Sequence, residues 1–185
     1  MSNSPVPPGC LGEHSASADA AGPYQATGFK VGEVTPTTAI VWVRLTEHEQ
    51  PNPADAPMVQ FRYAGDEVAR EPDAKRLRVD AAVYPDGLDV ADIRHAAPGT
   101  SGDVRLEYRP DGADDWQQTP WQAVDPARDF TYQFALVGLE PATNYELKVY
   151  ARADKASPPG PINAGGFRTA PAAEVPARAL FTVST

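Results

Sequence analysis

No long stretch of this chain escapes a proline or a glycine. Twenty prolines and fourteen glycines are spread through 185 residues, and each tends to end or bend the element it falls in. What survives between them is a series of short runs, most of which alternate apolar and polar residues. That is the period of a half-buried strand. No segment has the spacing of the helix a parallel βαβ unit requires, so the pattern predicts an all-β, antiparallel fold.

The strands can be read in order. Residues 28–34 (Gly-Phe-Lys-Val-Gly-Glu-Val) alternate, Thr35-Pro36-Thr37-Thr38 turns, and Ala39-Ile40-Val41-Trp42-Val43-Arg44-Leu45 is rich in β-branched and aromatic residues. Val104, Leu106 and Tyr108 share one face of a third run, Pro110-Asp111-Gly112 opens a turn, and residues 116–124 form its return strand, with Pro120 marking an edge. Tyr132, Phe134 and Leu136 alternate next. Tyr145-Glu146-Leu147-Lys148-Val149-Tyr150-Ala151 follows, then a short strand at Gly166-Phe167-Arg168-Thr169. Between the second and third of these strands lies a long insertion, residues 46–101. There Val59, Phe61 and Tyr63 alternate and can pair with residues 77–84, and residues 88–97 are read as one or two helical turns behind Asp86. Residues 1–26 read as an extended or disordered tail, and 179–185 as one more strand-like run after a linker.

Composition excludes several functions. A net charge of -9 argues against nucleic acid, whose phosphates call for concentrated Lys and Arg. One cysteine, Cys10, excludes an internal disulfide. No apolar run approaches the length of a transmembrane helix, and no signal peptide is visible at the start. The three histidines, His14, His48 and His95, share no metal-ligand spacing. Asp86, Asp89 and Asp92 do not match a calcium loop. No serine sits in a nucleophile motif. The expected catalytic and metal sites are therefore none, and no cofactor is expected in this chain. Trp116 and Trp121 are the candidate surface-binding residues: on an exposed sheet face, such rings stack on sugars or meet a partner.

Leu139-x-Pro141-x-Thr143-x-Tyr145, followed by alternating apolar residues, resembles the fibronectin type III signature between its fifth and sixth strands. The physical content is a tyrosine corner, in which the ring of Tyr145 enters the core and its hydroxyl bonds to backbone a few residues upstream. The resemblance implies a fibronectin type III or immunoglobulin-like sandwich over residues 27–171, with Trp42, Leu106, Tyr108, Phe134, Leu139, Tyr145 and Leu147 in its core. Ile40 and Leu136 are expected beside them.

A narrower resemblance lies at the two ends of that sandwich. Gly28-Phe29-x-Val31-Gly32-x-Val34-Thr35-Pro36-x-x-Ala39-Ile40-Val41-Trp42-x-Arg44-Leu45 and Phe167-Arg168-Thr169-Ala170-Pro171 are similar to PhoD-like alkaline phosphatases. In that family a sandwich of this kind precedes a metal-dependent phosphoesterase domain. The resemblance implies a non-catalytic front domain whose partner is a C-terminal phosphoesterase domain. Residues 172–185 would be the linker and the first strand of that domain. Iron and calcium would be metals of the parent enzyme, and its location would be secreted, periplasmic or cell-surface. The rival reading is a stand-alone fibronectin-like module binding carbohydrate or protein at a cell surface.

Overall fold

The computed structural model describes residues 22–73, 75 and 78–176. The strand expected at 179–185 and most of the expected tail lie outside the described residues. Two antiparallel sheets pack face to face. One is built from β1 (Phe29–Gly32), β2 (Thr38–Arg44) and β8 (Thr131–Val137), in the order β1-β2-β8. The other runs β10 (Asn163–Arg168), β9 (Asn144–Arg152), β5 (Asp103–Pro110) and β6 (Gln117–Gln118), with β7 (Gln122–Ala123) also on β5. This is the antiparallel sandwich that the alternation predicts, and the fibronectin type III-like fold that the resemblance implies.

The core lies between the sheets. Val41, Val43 and Leu45 from the first, and Val104, Leu106, Leu147 and Val149 from the second, are all at most 1% exposed. Phe134, Leu136, Leu139 and Tyr145 join the same cluster, and Tyr108 packs against it half-buried.

β2 requires a correction. Ala39, Val41 and Val43 face inward, so Ile40 and Trp42 lie on the opposite, outer face and are only half-buried. Period-two geometry allows one face or the other, not a mixture. The inward set continues into buried Leu45, whereas the Trp42 set is bounded by Thr38 and Arg44.

Three further expectations are revised. Residues 23–26 belong to the folded body: Tyr24 and Thr46 exchange backbone hydrogen bonds at 2.9 Å in both directions, and Pro23 is buried. The return strand at 116–124 is split into β6 and β7, because Pro120 between them cannot donate to the ladder. No helix forms at 88–97. That stretch is a chain of turns, in which the Asp89 carboxylate accepts from Ala91 N–H and the Asp92 carboxylate from Asp89 N–H. Side-chain bonds of this kind compete with helix.

The insertion does carry a hairpin, β3 (Gln60–Tyr63) against β4 (Val79–Val83). Tyr63 is 3% exposed, and its hydroxyl accepts from Asp73 N–H at 2.6 Å. At the neck, Glu47 N–H donates to the Pro98 carbonyl at 2.9 Å and Thr100 N–H to the Leu45 carbonyl at 3.3 Å. Gly99 has no room for a side chain there, since a Cβ would run into the ring of Phe130. The Arg44 guanidinium locks the neck to the sandwich. It donates to the Ala97 carbonyl at 2.7 Å and to both carboxylate oxygens of Asp129 at 2.8 and 2.9 Å.

Candidate functional site

The most organised surface is the outer face of the five-stranded sheet. Because Val104, Leu106 and Tyr108 point inward, β5 presents Arg105, Glu107 and Arg109 outward; β9 presents Glu146, Lys148, Tyr150 and Arg152. The register sets Arg105 beside Tyr150, Glu107 beside Lys148, Arg109 beside Glu146 and Asp103 beside Arg152. Opposite charges thus meet across the ladder, where cross-strand pairs stabilise a sheet.

Trp116 and Trp121 flank β6 and β7 and lay their rings on this face. The Arg109 guanidinium lies 4.5 Å and the Lys148 ammonium 4.1 Å from the Trp116 ring centre. Arg105 and Arg152 lie 5.0 and 4.1 Å from that of Trp121, and Arg105 also lies 4.9 Å from that of Tyr150. Such contacts are strongest where water is excluded. Water is largely excluded around Arg105, for Glu107 is 6% exposed although it points away from the core. Its carboxylate accepts from Arg105 at 2.7 Å and from the Tyr150 hydroxyl at 2.9 Å.

Two details follow from this layering. The Arg105 Nε is buried with no hydrogen-bond partner among the described residues, while its guanidinium lies over the Trp121 and Tyr150 rings. Tyr150 has its phenol pKa raised above the ordinary 10.0, first by burial and then by its bond to the Glu107 carboxylate, with Arg105 opposing. Trp116 and Trp121 are therefore half-buried rings engaged by cations, not the open stacking platforms their positions suggest. Alternating charge on β5 and β9 was visible in sequence, but only the register shows that it meets the indoles.

The end of the sandwich at which β9 begins holds the tyrosine corner. Tyr145 is 4% exposed, and its hydroxyl accepts from Glu140 N–H at 2.9 Å. Its ring stacks on Phe167 at 5.4 Å. Thr169, 2% exposed, completes the corner by donating to the Glu140 carbonyl at 2.6 Å and accepting from Thr143 N–H at 2.9 Å. Glu140 is thus pinned through both its N–H and its carbonyl, and the sequence pattern gave no sign of the role of Thr169.

Elsewhere a cleft of about 230 Å³ lies between Tyr24, Gln25, Glu49, Gln50, Pro161 and Asn163. Gln25 Nε2 donates to the Val149 carbonyl at 3.4 Å, leaving its buried Oε1 without a partner among the described residues. His48 and His95 are exposed, and Asp86, Asp89 and Asp92 lie on an exposed turn. Among the described residues no three His, Cys, Asp or Glu side chains converge as metal ligands, and no helix is long and apolar enough to cross a membrane.

No protein-family model matches the chain, and no curated protein does. Solved structures do. A computationally redesigned β-sandwich protein is 15% identical, with a TM-score of 0.37 over 78% of this chain and 92% of its own. PhoD is 16% identical, with a TM-score of 0.44 over 81% of this chain, which spans 20% of the PhoD structure. The sensor domain of the anti-sigma factor RsgI4 in Pseudobacteroides cellulosolvens, in its shorter form, is 12% identical, with a TM-score of 0.38 over 78% of this chain and 92% of its own. At scores this low, none of these likenesses bears on what the chain does.

Proposed function

We propose that this chain is the non-catalytic front sandwich of a PhoD-like metallophosphoesterase, positioning a metal-dependent domain that lies outside it. The supporting observation is where the two segments of sequence resemblance meet. Val34-Thr35-Pro36 and Phe167-Arg168-Thr169-Ala170 are far apart in sequence, yet Ala170 N–H donates to the Thr35 carbonyl at 3.2 Å. The Thr37 carbonyl accepts from Leu139 N–H at 3.0 Å, and the Ala170 carbonyl from Ala142 N–H at 3.0 Å. The resembling residues thus build one pole of the sandwich, the pole from which residues 171–176 lead away. These backbone bonds hold the chain as far as Ala170, which supports a defined point of departure for a following domain. In this reading the iron, the calcium, the hydrolysis of phosphate esters and the secreted or cell-surface location all belong to the parent.

The test compares the chain alone with the product of its uninterrupted reading frame, each supplied with iron and calcium and a nitrophenyl phosphate ester. Turnover by the longer product only is expected. Metal-dependent turnover by the chain alone, surviving repurification and lost with one point substitution, would overturn the reading. So would a reading frame that closes at Thr185, or a longer product with no metal-dependent turnover.

A further inference from the structure

The side of β8 that faces away from β2 lacks the features that usually discourage further strand pairing. β8 reads Thr-Tyr-Gln-Phe-Ala-Leu-Val, without a charge, a proline or a glycine, and its pairing with β2 runs without a register shift. The other edges are obstructed. β6 and β7 are two residues each, with Pro120 between them. β1 is four residues long and carries Lys30. β10 carries two glycines in its middle and ends on Arg168. A long uncharged edge is a template for another strand.

The phase of the backbone shows which groups are open. Phe130 carbonyl accepts from Leu45 N–H on the β2 side, at 3.1 Å, whereas Thr131 carbonyl accepts from Asp125 N–H on the other, at 3.0 Å. Backbone groups alternate sides along an antiparallel strand. The N–H and C=O groups of Gln133, Ala135 and Val137 therefore point away from β2, and no described residue pairs with them. All three side chains are exposed, Val137 at 69%.

We propose that β8 pairs with β8 of a second copy of this chain, antiparallel, across a two-fold axis through Ala135. The three open residues are spaced symmetrically about Ala135. This register sets Ala135 against the partner's Ala135 and Gln133 against the partner's Val137, so every open group on the edge finds a counterpart. Such a contact is self-complementary and closes at two copies. β8 itself brings no charge to the seam, which matters for a chain of net charge -9 that otherwise repels its copies.

Sedimentation velocity of the full chain over a concentration series tests the pairing, with Ala135→Lys and Ala135→Glu as variants. Ala135 is exposed and outside the core, and unchanged circular dichroism and melting would show that each variant folds. The wild-type chain is expected to dimerise with concentration. Each variant places like charges face to face on the axis and should dimerise at least about tenfold more weakly. Mixing the two variants should restore association, because Lys then faces Glu. A wild-type chain that stays monomeric up to its solubility limit overturns the proposal, as do single variants that associate like wild type, or a mixture that does not recover. A chain lacking residues 174–185 should associate unchanged; loss of association there would assign the contact to that segment and refute pairing through β8.

Discussion

Replacing Tyr145 by Phe removes one oxygen and leaves the ring, its stacking on Phe167 and its burial in place. What it strands is the Glu140 N–H, which donates to that hydroxyl at 2.9 Å. The loss is one net hydrogen bond plus the desolvation of an amide held at a closed corner, about 1–3 kcal/mol. Thr169→Val keeps the side-chain shape and strands two groups, the Glu140 carbonyl and the Thr143 N–H, so its cost should be equal or larger. Both substitutions release backbone groups of one residue, Glu140. The double variant should therefore cost less than the sum of the two, since a corner already released has less to lose. Urea unfolding followed by tryptophan fluorescence reads all three. The midpoint should fall in each variant with the slope unchanged, and the melting temperature should drop by about 2–4 °C per kcal/mol. A Tyr145→Phe chain as stable as wild type would mean that the hydroxyl bond contributes nothing, and the corner could not then be what holds the β8–β9 connection.

Two more outcomes follow from the orientation of side chains. Trp42→Ala should cost only about 1–2 kcal/mol, in keeping with partial burial on the outer face, against about 2–5 kcal/mol for Leu106→Ala in the core; the reverse order in chemical denaturation would refute the assigned phase of β2. Tyr150 is raised above 10.0 in the folded chain, so the unfolded chain releases its proton first. Its stabilising contribution is full below about pH 10 and declines as pH rises toward the folded value. Tyr150→Phe should flatten that alkaline decline in urea midpoints measured above and below pH 10, and identical slopes in the two chains would remove Tyr150 as its source.

Legibility in the sequence followed the number of residues each feature depends on. The tyrosine corner was readable because Leu139, Pro141, Thr143 and Tyr145 form a local pattern. β9 was readable because its polar and apolar faces differ throughout. The phase of β2 was not, since both of its faces carry large apolar residues and only contact with the opposing sheet separates them. The aromatic–cation face was hidden for a different reason. Arg105, Trp121 and Arg152 come from three segments, and nothing in any one of them shows that they will stack. The insertion was half legible: its hairpin follows from alternating residues, whereas the turns of 88–97 depend on Asp side chains capturing backbone amides. Thr169 gave no signal because a buried threonine and an exposed one look alike in a sequence.

The tied neck of the insertion changes what that segment costs the protein. Closing a flexible loop grows more expensive only slowly with length, by about 0.6 kcal/mol for each doubling. Because Thr46 and Gly99 bridge at its base, the chain between β2 and β5 is short-circuited before the insertion departs. The sandwich therefore experiences a brief crossover, and the lobe beyond the neck hangs as a closed loop whose length is nearly neutral to the body. Such a lobe can lengthen, shrink or change its sequence over evolutionary time while Arg44, Thr46 and Gly99 stay put. Variation in this protein's relatives should accordingly concentrate between residues 48 and 96, on the far side of the neck.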